Sequence, residues 1–139
     1  MILHIYKLLN FIGSPILFSF MLFRLIKGKE NKSRFKERFG IPSYKTRPKG
    51  KLIWIHATSI GEVASILPTL KTISSDKRFQ GTILLTSTTI GSLKFLQKKS
   101  LPEKVIHQLY PIDNFFTVRK FINFWKPDLT VFIESEFWP

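Results

Sequence analysis

Apolar residues follow three different patterns along this chain. From Ile2 to Ile26 Ile, Leu and Phe dominate, and the longest charge-free stretch runs from Leu8 to Phe23, between Lys7 and Arg24. A comfortable bilayer span needs about 20 apolar residues. This stretch is shorter, and Asn10, Gly13, Ser14 and Pro15 interrupt it, so a short tilted span and an interfacial helix both fit. Pro42 to Gly50 carries no apolar periodicity and reads as a linker. Beyond it, strand-length apolar runs alternate with helix-period segments: Leu52 to His56 then Val63 to Ser74, Gly81 to Thr86 then Gly91 to Lys99, Val105 to Tyr110 then Phe115 to Trp125, and finally Leu129 to Glu134. That order predicts an α/β fold, a Rossmann-like parallel sheet with helices on both faces.

The expected organisation is therefore a hydrophobic membrane anchor over 1–27, a basic juxtamembrane segment and linker over 28–50, and a Rossmann-like domain over 51–139. Arg24, Leu25, Ile26 and Lys27 follow the apolar run where a cleaved signal peptide would carry small residues, so the anchor is expected to stay attached. Charge sharpens the picture. The chain has 22 Lys and Arg against 9 Asp and Glu, a formal charge of +13, which suits a polyanionic partner without naming it. The densest basic run, Arg24, Lys27, Lys29, Lys32, Arg34, Lys36 and Arg38, directly follows the apolar segment. By the positive-inside rule that flank is cytoplasmic, and anionic membrane lipids, not nucleic acid, are the expected partner. With no cysteine, disulfide frameworks and thiolate metal sites drop out.

In an open parallel sheet, ligands bind beyond the carboxyl ends of the strands. After the first strand comes His56-Ala-Thr-Ser-Ile-Gly-Glu62, where Gly61 is expected to allow a tight turn and Glu62 to bring a carboxylate to the ligand edge. The same Ser59-x-x-Glu62 spacing ahead of an apolar helix is a capping box, and spacing alone favours the cap. His56 reads as a hydrogen-bonded structural residue. Thr86-Ser-Thr-Thr-Ile-Gly-Ser92 offers hydroxyls and amides suited to phosphate or sugar hydroxyls, though ordinary capping explains much of it. Tyr110-Pro-Ile-Asp113 reads as a turn and cap. Glu134 and Glu136 follow the last apolar run, where carboxylates need partners or a ligand.

In order, Glu37-Arg-Phe-Gly40, Trp54-Ile-His-Ala-Thr-Ser-Ile-Gly-Glu62, Thr86-Ser-Thr-Thr-Ile-Gly91, Tyr110-Pro-Ile-Asp113 and Glu134-Ser-Glu-Phe-Trp-Pro139 resemble the bacterial 3-deoxy-D-manno-octulosonic acid (Kdo) transferases over essentially the whole chain. Thr58, Ile60, Ser135 and Phe137 depart from the commoner residues of that family, and none removes a proposed functional group. The resemblance implies a two-domain glycosyltransferase-B fold that moves Kdo from the donor CMP-Kdo to a lipid A precursor, with inversion, at the cytoplasmic face of the inner membrane. No metal or other cofactor is expected. By position, Glu62 resembles the family's general base and Glu134 its second carboxylate, which reverses the preference for a simple cap. Ser59, Gly61, Thr88, Thr89 and Gly91 become the candidate substrate-binding residues. The CMP-binding loops are expected in a second domain beyond Pro139, so this N-terminal half is expected to be inactive alone. The alternative is a non-enzymatic membrane-associated binding module or a truncated relic.

Overall fold

A computed structural model of the chain describes residues 2–133, and Glu134 through Pro139 lie outside the described residues. Helix α1 (Ile2–Ile26) is followed by a short 3-10 segment, Lys32–Phe39. The alternating unit then runs β1 (Lys51–His56), α2 (Ile60–Ser75), β2 (Gly81–Ser87), α3 (Ile90–Gln97), β3 (Val105–Leu109), α4 (Phe115–Trp125) and β4 (Leu129–Phe132). The four strands form one parallel sheet in the order β3-β2-β1-β4, as the alternation of apolar runs predicts.

Alternate residues of each strand feed opposite layers, because side chains in a strand point to alternate faces. Ile55, Ile83, Leu85 and Val105 pack with Val63, Leu70 and Leu96 from α2 and α3. Leu52, Trp54 and Leu84 pack on the other face with Phe121 and Trp125 of α4. Because the chain passes from β3 back across to β4, the strand order reverses between β1 and β4. At such a reversal, α/β folds of this type bind ligands beyond the carboxyl ends of the strands.

The basic juxtamembrane segment expected ahead of the Pro42–Gly50 linker contains a folded clamp. The segment Lys32–Phe39 packs on β3 and α4 although its two most buried residues, Glu37 and Arg38, are charged. Arg34 donates to Glu37 Oε1 and Oε2, both at 2.8 Å, and to the His107 carbonyl at 2.7 Å, while Leu109 N–H donates to Glu37 Oε2 at 2.7 Å. These two side chains therefore occupy backbone groups on the outer edge of β3 that a further strand would otherwise take. Gly40 ends the segment at φ 71°, and a Cβ there would lie 2.2 Å from the Thr117 carbonyl oxygen. The Glu37-Arg-Phe-Gly40 motif thus has a packing reason at each end.

The basic run divides by residue type. Arg24, Arg34 and Arg38 turn inward to Glu30 and Glu37, whereas Lys27, Lys29, Lys32 and Lys36 are exposed. Of the seven cations in the run, three are therefore engaged within the fold and four lysines are left exposed. A guanidinium fork can satisfy a buried carboxylate and carbonyl oxygens together, while a strongly hydrated ammonium favours water.

Candidate functional site

Glu62 stands in the first turn of α2, just past the carboxyl end of β1 and so at the strand reversal between β1 and β4. Ser59 caps the helix: its hydroxyl accepts from Glu62 N–H at 3.3 Å and donates to Glu62 Oε1 at 2.8 Å. The other carboxylate oxygen accepts from Thr58 N–H at 2.7 Å. Burial pushes the Glu62 carboxyl up, but the Ser59 hydroxyl, the Thr58 and Ser59 amides and nearby His56 outweigh it and hold the group below the ordinary carboxylate value. Glu62 is therefore an anion at neutral pH, seated in a capping box at the ligand edge. Ser59→Ala is expected to cost about 1 kcal/mol of stability and to raise the Glu62 pKa, since a donor to the charged form is lost. Carbon-detected NMR titration of Glu62 checks this, and an unchanged titration would acquit Ser59.

Gly61 departs from its expected role. It lies within the first turn of α2 without a positive φ, so no tight turn demands a glycine there. A Cβ would meet only Ser59 Oγ, at 3.9 Å, and the residue is exposed. What glycine provides is a bare surface beside the carboxylate, where a ligand can approach the backbone closely.

The loop after β2 adjoins the same place. Thr89 caps α3 by accepting from Ser92 N–H at 3.0 Å, and Ser92 Oγ donates to the Thr58 carbonyl at 3.3 Å. A Cβ on Gly91 would come within 2.7 Å of Ile60 Cδ1, so its lack of a side chain lets the starts of α2 and α3 lie together. Thr88 is half-buried, and its carbonyl accepts from Arg38. Ser59, Gly61, Glu62, Thr89 and Gly91 are thus gathered on one rim, with Thr88 behind them. Glu134 lies outside the described residues.

Beneath the rim is a polar floor. Thr86 Oγ1 accepts from Trp54 Nε1 at 2.9 Å and lies 2.9 Å from His56 Nδ1, while His56 Nε2 lies 3.3 Å from Thr58 Oγ1. The Tyr110 ring lies against His56 at a tilt of 33°, with centroids 4.1 Å apart. His56 therefore orients the loop that carries Glu62, in line with its structural reading. The residue that sequence reasoning passed over is Arg38. Almost wholly buried, it pairs with Glu30 at 3.1 Å and donates to the carbonyls of Thr88 and Tyr110, where the chain leaves β2 and β3. Its place in the Glu37-Arg-Phe-Gly40 motif was the available signal. Its partners, however, lie 50 and 72 residues away. Among the described residues, no three His, Cys, Asp or Glu side chains group as a metal site.

A family model described as 3-deoxy-D-manno-octulosonic-acid transferase (kdotransferase) matches residues 33–139. The 3-deoxy-D-manno-octulosonic acid transferase of Rickettsia bellii is 45% identical over 138 residues, covering 99% of this chain and 32% of the relative. The probable mitochondrial 3-deoxy-D-manno-octulosonic acid transferase of Arabidopsis thaliana is 37% identical over 97% of this chain and 30% of its own length. The transferase of that name from Haemophilus influenzae is 31% identical, covering 96% and 31%. The chain thus spans about a third of the length of these relatives. No solved structure matches it. With the family's match extending from the 3-10 segment through the whole parallel sheet and its rim, this chain belongs to the 3-deoxy-D-manno-octulosonic-acid transferase family.

Proposed function

We propose that this chain forms the acceptor side of a glycosyltransferase-B enzyme that moves Kdo from CMP-Kdo to a lipid A precursor in lipopolysaccharide biosynthesis, at the cytoplasmic face of the inner membrane. The observation that carries the reading is Glu62, an ionised carboxylate at the sheet's ligand-binding edge, beside the bare backbone of Gly61. In this scheme the acceptor hydroxyl gives its proton to Glu62 as its oxygen bonds to the Kdo anomeric carbon. The bond to CMP breaks on the opposite face, and CMP leaves with the electron pair. A carboxylate held by Ser59 and Thr58 is a weak base. An acceptor that excludes water from the carboxylate strengthens it, because desolvation raises a carboxyl pKa.

Ser59, Gly61, Thr88, Thr89 and Gly91 would line the acceptor's approach, with Glu134 as the second carboxylate, while a separate domain would hold CMP-Kdo. Helix α1 would supply membrane attachment, and Lys27, Lys29, Lys32 and Lys36 are free to meet anionic headgroups. The test is Glu62→Gln in an enzyme that joins this chain to its donor-binding domain. Transfer is expected to fall about 10²–10⁴-fold, the usual contribution of a general base, with donor KM little changed. A Gln variant as active as the parent would remove Glu62 from the chemistry.

A further inference from the structure

Helix α1 wears its polarity inside out. Asn10, Ser14, Met21 and Arg24 fall on one arc of the helix and face the globular domain. Asn10 Oδ1 accepts from Phe115 N–H at 3.0 Å, Asn114 Nδ2 donates to Ser14 Oγ at 3.0 Å, Met21 is 6% exposed, and Arg24 pairs with Glu30 at 3.0 Å. The opposite arc carries Leu8, Ile12, Ile16, Phe23 and Ile26, each more than half exposed. No charged residue lies between Lys7 and Arg24. The segment Lys7–Ile26 is apolar and long enough to cross a bilayer, with a mean hydropathy of 1.7. A contiguous apolar surface of this extent calls for a partner.

The docked arc decides how that partner is met. From Asn10 to Arg24 the helix runs about 21 Å at its usual rise, against a hydrocarbon core of about 30 Å. Along that length it is tied to the start of α4 and to the loop carrying Glu30. Were α1 to span, the loop carrying Glu30 and the loop ahead of α4 would enter hydrocarbon, where lipid-exposed irregular backbone is not tolerated. Cations sit at both ends of the apolar arc, Lys7 at one and Lys27 and Lys29 at the other. In a spanning helix they would divide between leaflets. In a helix lying flat, all of them reach one anionic headgroup layer.

We infer that α1 lies in the plane of an anionic bilayer and that the start of α4 sinks into the same surface. This rests on the membrane attachment proposed above and gives it an orientation. Phe116, 49% exposed, stands with Phe11, Ile12 and Pro15 around an apolar groove of about 500 Å³, a place for lipid acyl chains. Because α4 begins at the carboxyl end of β3, the bilayer lies beside the sheet edge that carries Glu62. A lipid acceptor therefore reaches the rim sideways, with its chains still in the membrane.

The absence of cysteine makes single labels clean. Leu8→Cys, Ile16→Cys and Phe23→Cys, each carrying a small fluorophore, are bound to vesicles of phosphatidylglycerol and phosphatidylethanolamine, and their depth is read by quenching from lipids brominated at different acyl positions. All three are expected at one shallow depth, about 5–10 Å below the headgroups as for in-plane helices. In a separate variant, Phe116→Trp is expected to show blue-shifted emission on the same vesicles. A deep Ile16 label between shallow Leu8 and Phe23 labels would mean a span and overturn the inference while leaving attachment intact. Phe116→Trp emission indifferent to vesicles would overturn the burial of α4. Label-to-label contact between copies without lipid quenching would assign the arc to a second chain and overturn the inference. Failure to float with vesicles at all would remove the attachment reading itself.

Discussion

Glu37→Ala is expected to destabilise the fold by about 3–5 kcal/mol, the usual cost of breaking a buried ion pair from one side. Glu37 is fully buried, takes both forks of Arg34 and accepts from Leu109 N–H and the Ser43 hydroxyl. Alanine would leave a half-buried guanidinium without its carboxylate and an edge-strand amide without an acceptor. Glu37→Gln keeps the shape and one acceptor oxygen and should lose less. Urea unfolding followed by circular dichroism gives the difference directly. A loss below about 1 kcal/mol, within the range of an exposed pair, would show that the 3-10 segment merely rests on β3. The newly open edge of β3 should also raise the tendency to associate, which light scattering would detect.

The second large effect is a loss of stability on mild acidification, centred on His107. Its Nδ1 lies 3.0 Å from Arg34 Nη1, which has only protons to offer, so the ring proton sits on Nε2 and goes to Ser87 Oγ at 2.9 Å. Burial, with the charges of Arg34 and Arg38, pushes the His107 pKa down to about 3. An unfolded histidine titrates near 6.5. Between those values the unfolded chain binds a proton that the folded chain does not, so stability is complete above about 6.5 and falls as pH drops toward 3. The full window, from 6.5 down to about 3, corresponds to a loss on the order of 5 kcal/mol. Glu62, Asp76 and Asp128, carboxyls held below their ordinary values, add their losses at lower pH. Urea midpoints between pH 7.5 and 5 therefore stay clear of these carboxyls. His107→Gln keeps an acceptor for Arg34 and a donor for Ser87 and should flatten the slope in that range. An equal slope in both proteins would place the proton elsewhere.

Both effects involve Arg34, in a segment whose sequence reads as a basic juxtamembrane stretch. The 3-10 segment Lys32–Phe39 has no apolar stripe to reveal it, because what it buries is a carboxylate and a guanidinium. Whether a charge can be buried depends on the partner it meets, and these partners are Leu109, Tyr110 and Thr88. The candidate site was more legible. Ser59-x-x-Glu62 is a local pattern, and the structure forms the cap it predicts, with the carboxylate at the sheet's ligand edge. The tight turn expected at Gly61 is absent, since its backbone is ordinary helix, and the open space beside it becomes visible only once the helices are assembled.

By itself the sequence determined the alternating elements, with α4 recovered at Phe115–Trp125 and the parallel sheet following from their order. Periodicity is a property of near neighbours in the chain, so it survives without coordinates. Only the tertiary structure decided which cations face water, and which side of α1 is docked. It also decided that the loops after β1 and β2 share one rim. Those outcomes rest on hydrogen bonds and burial between residues tens of positions apart, and the geometry that pairs them exists only in the folded chain.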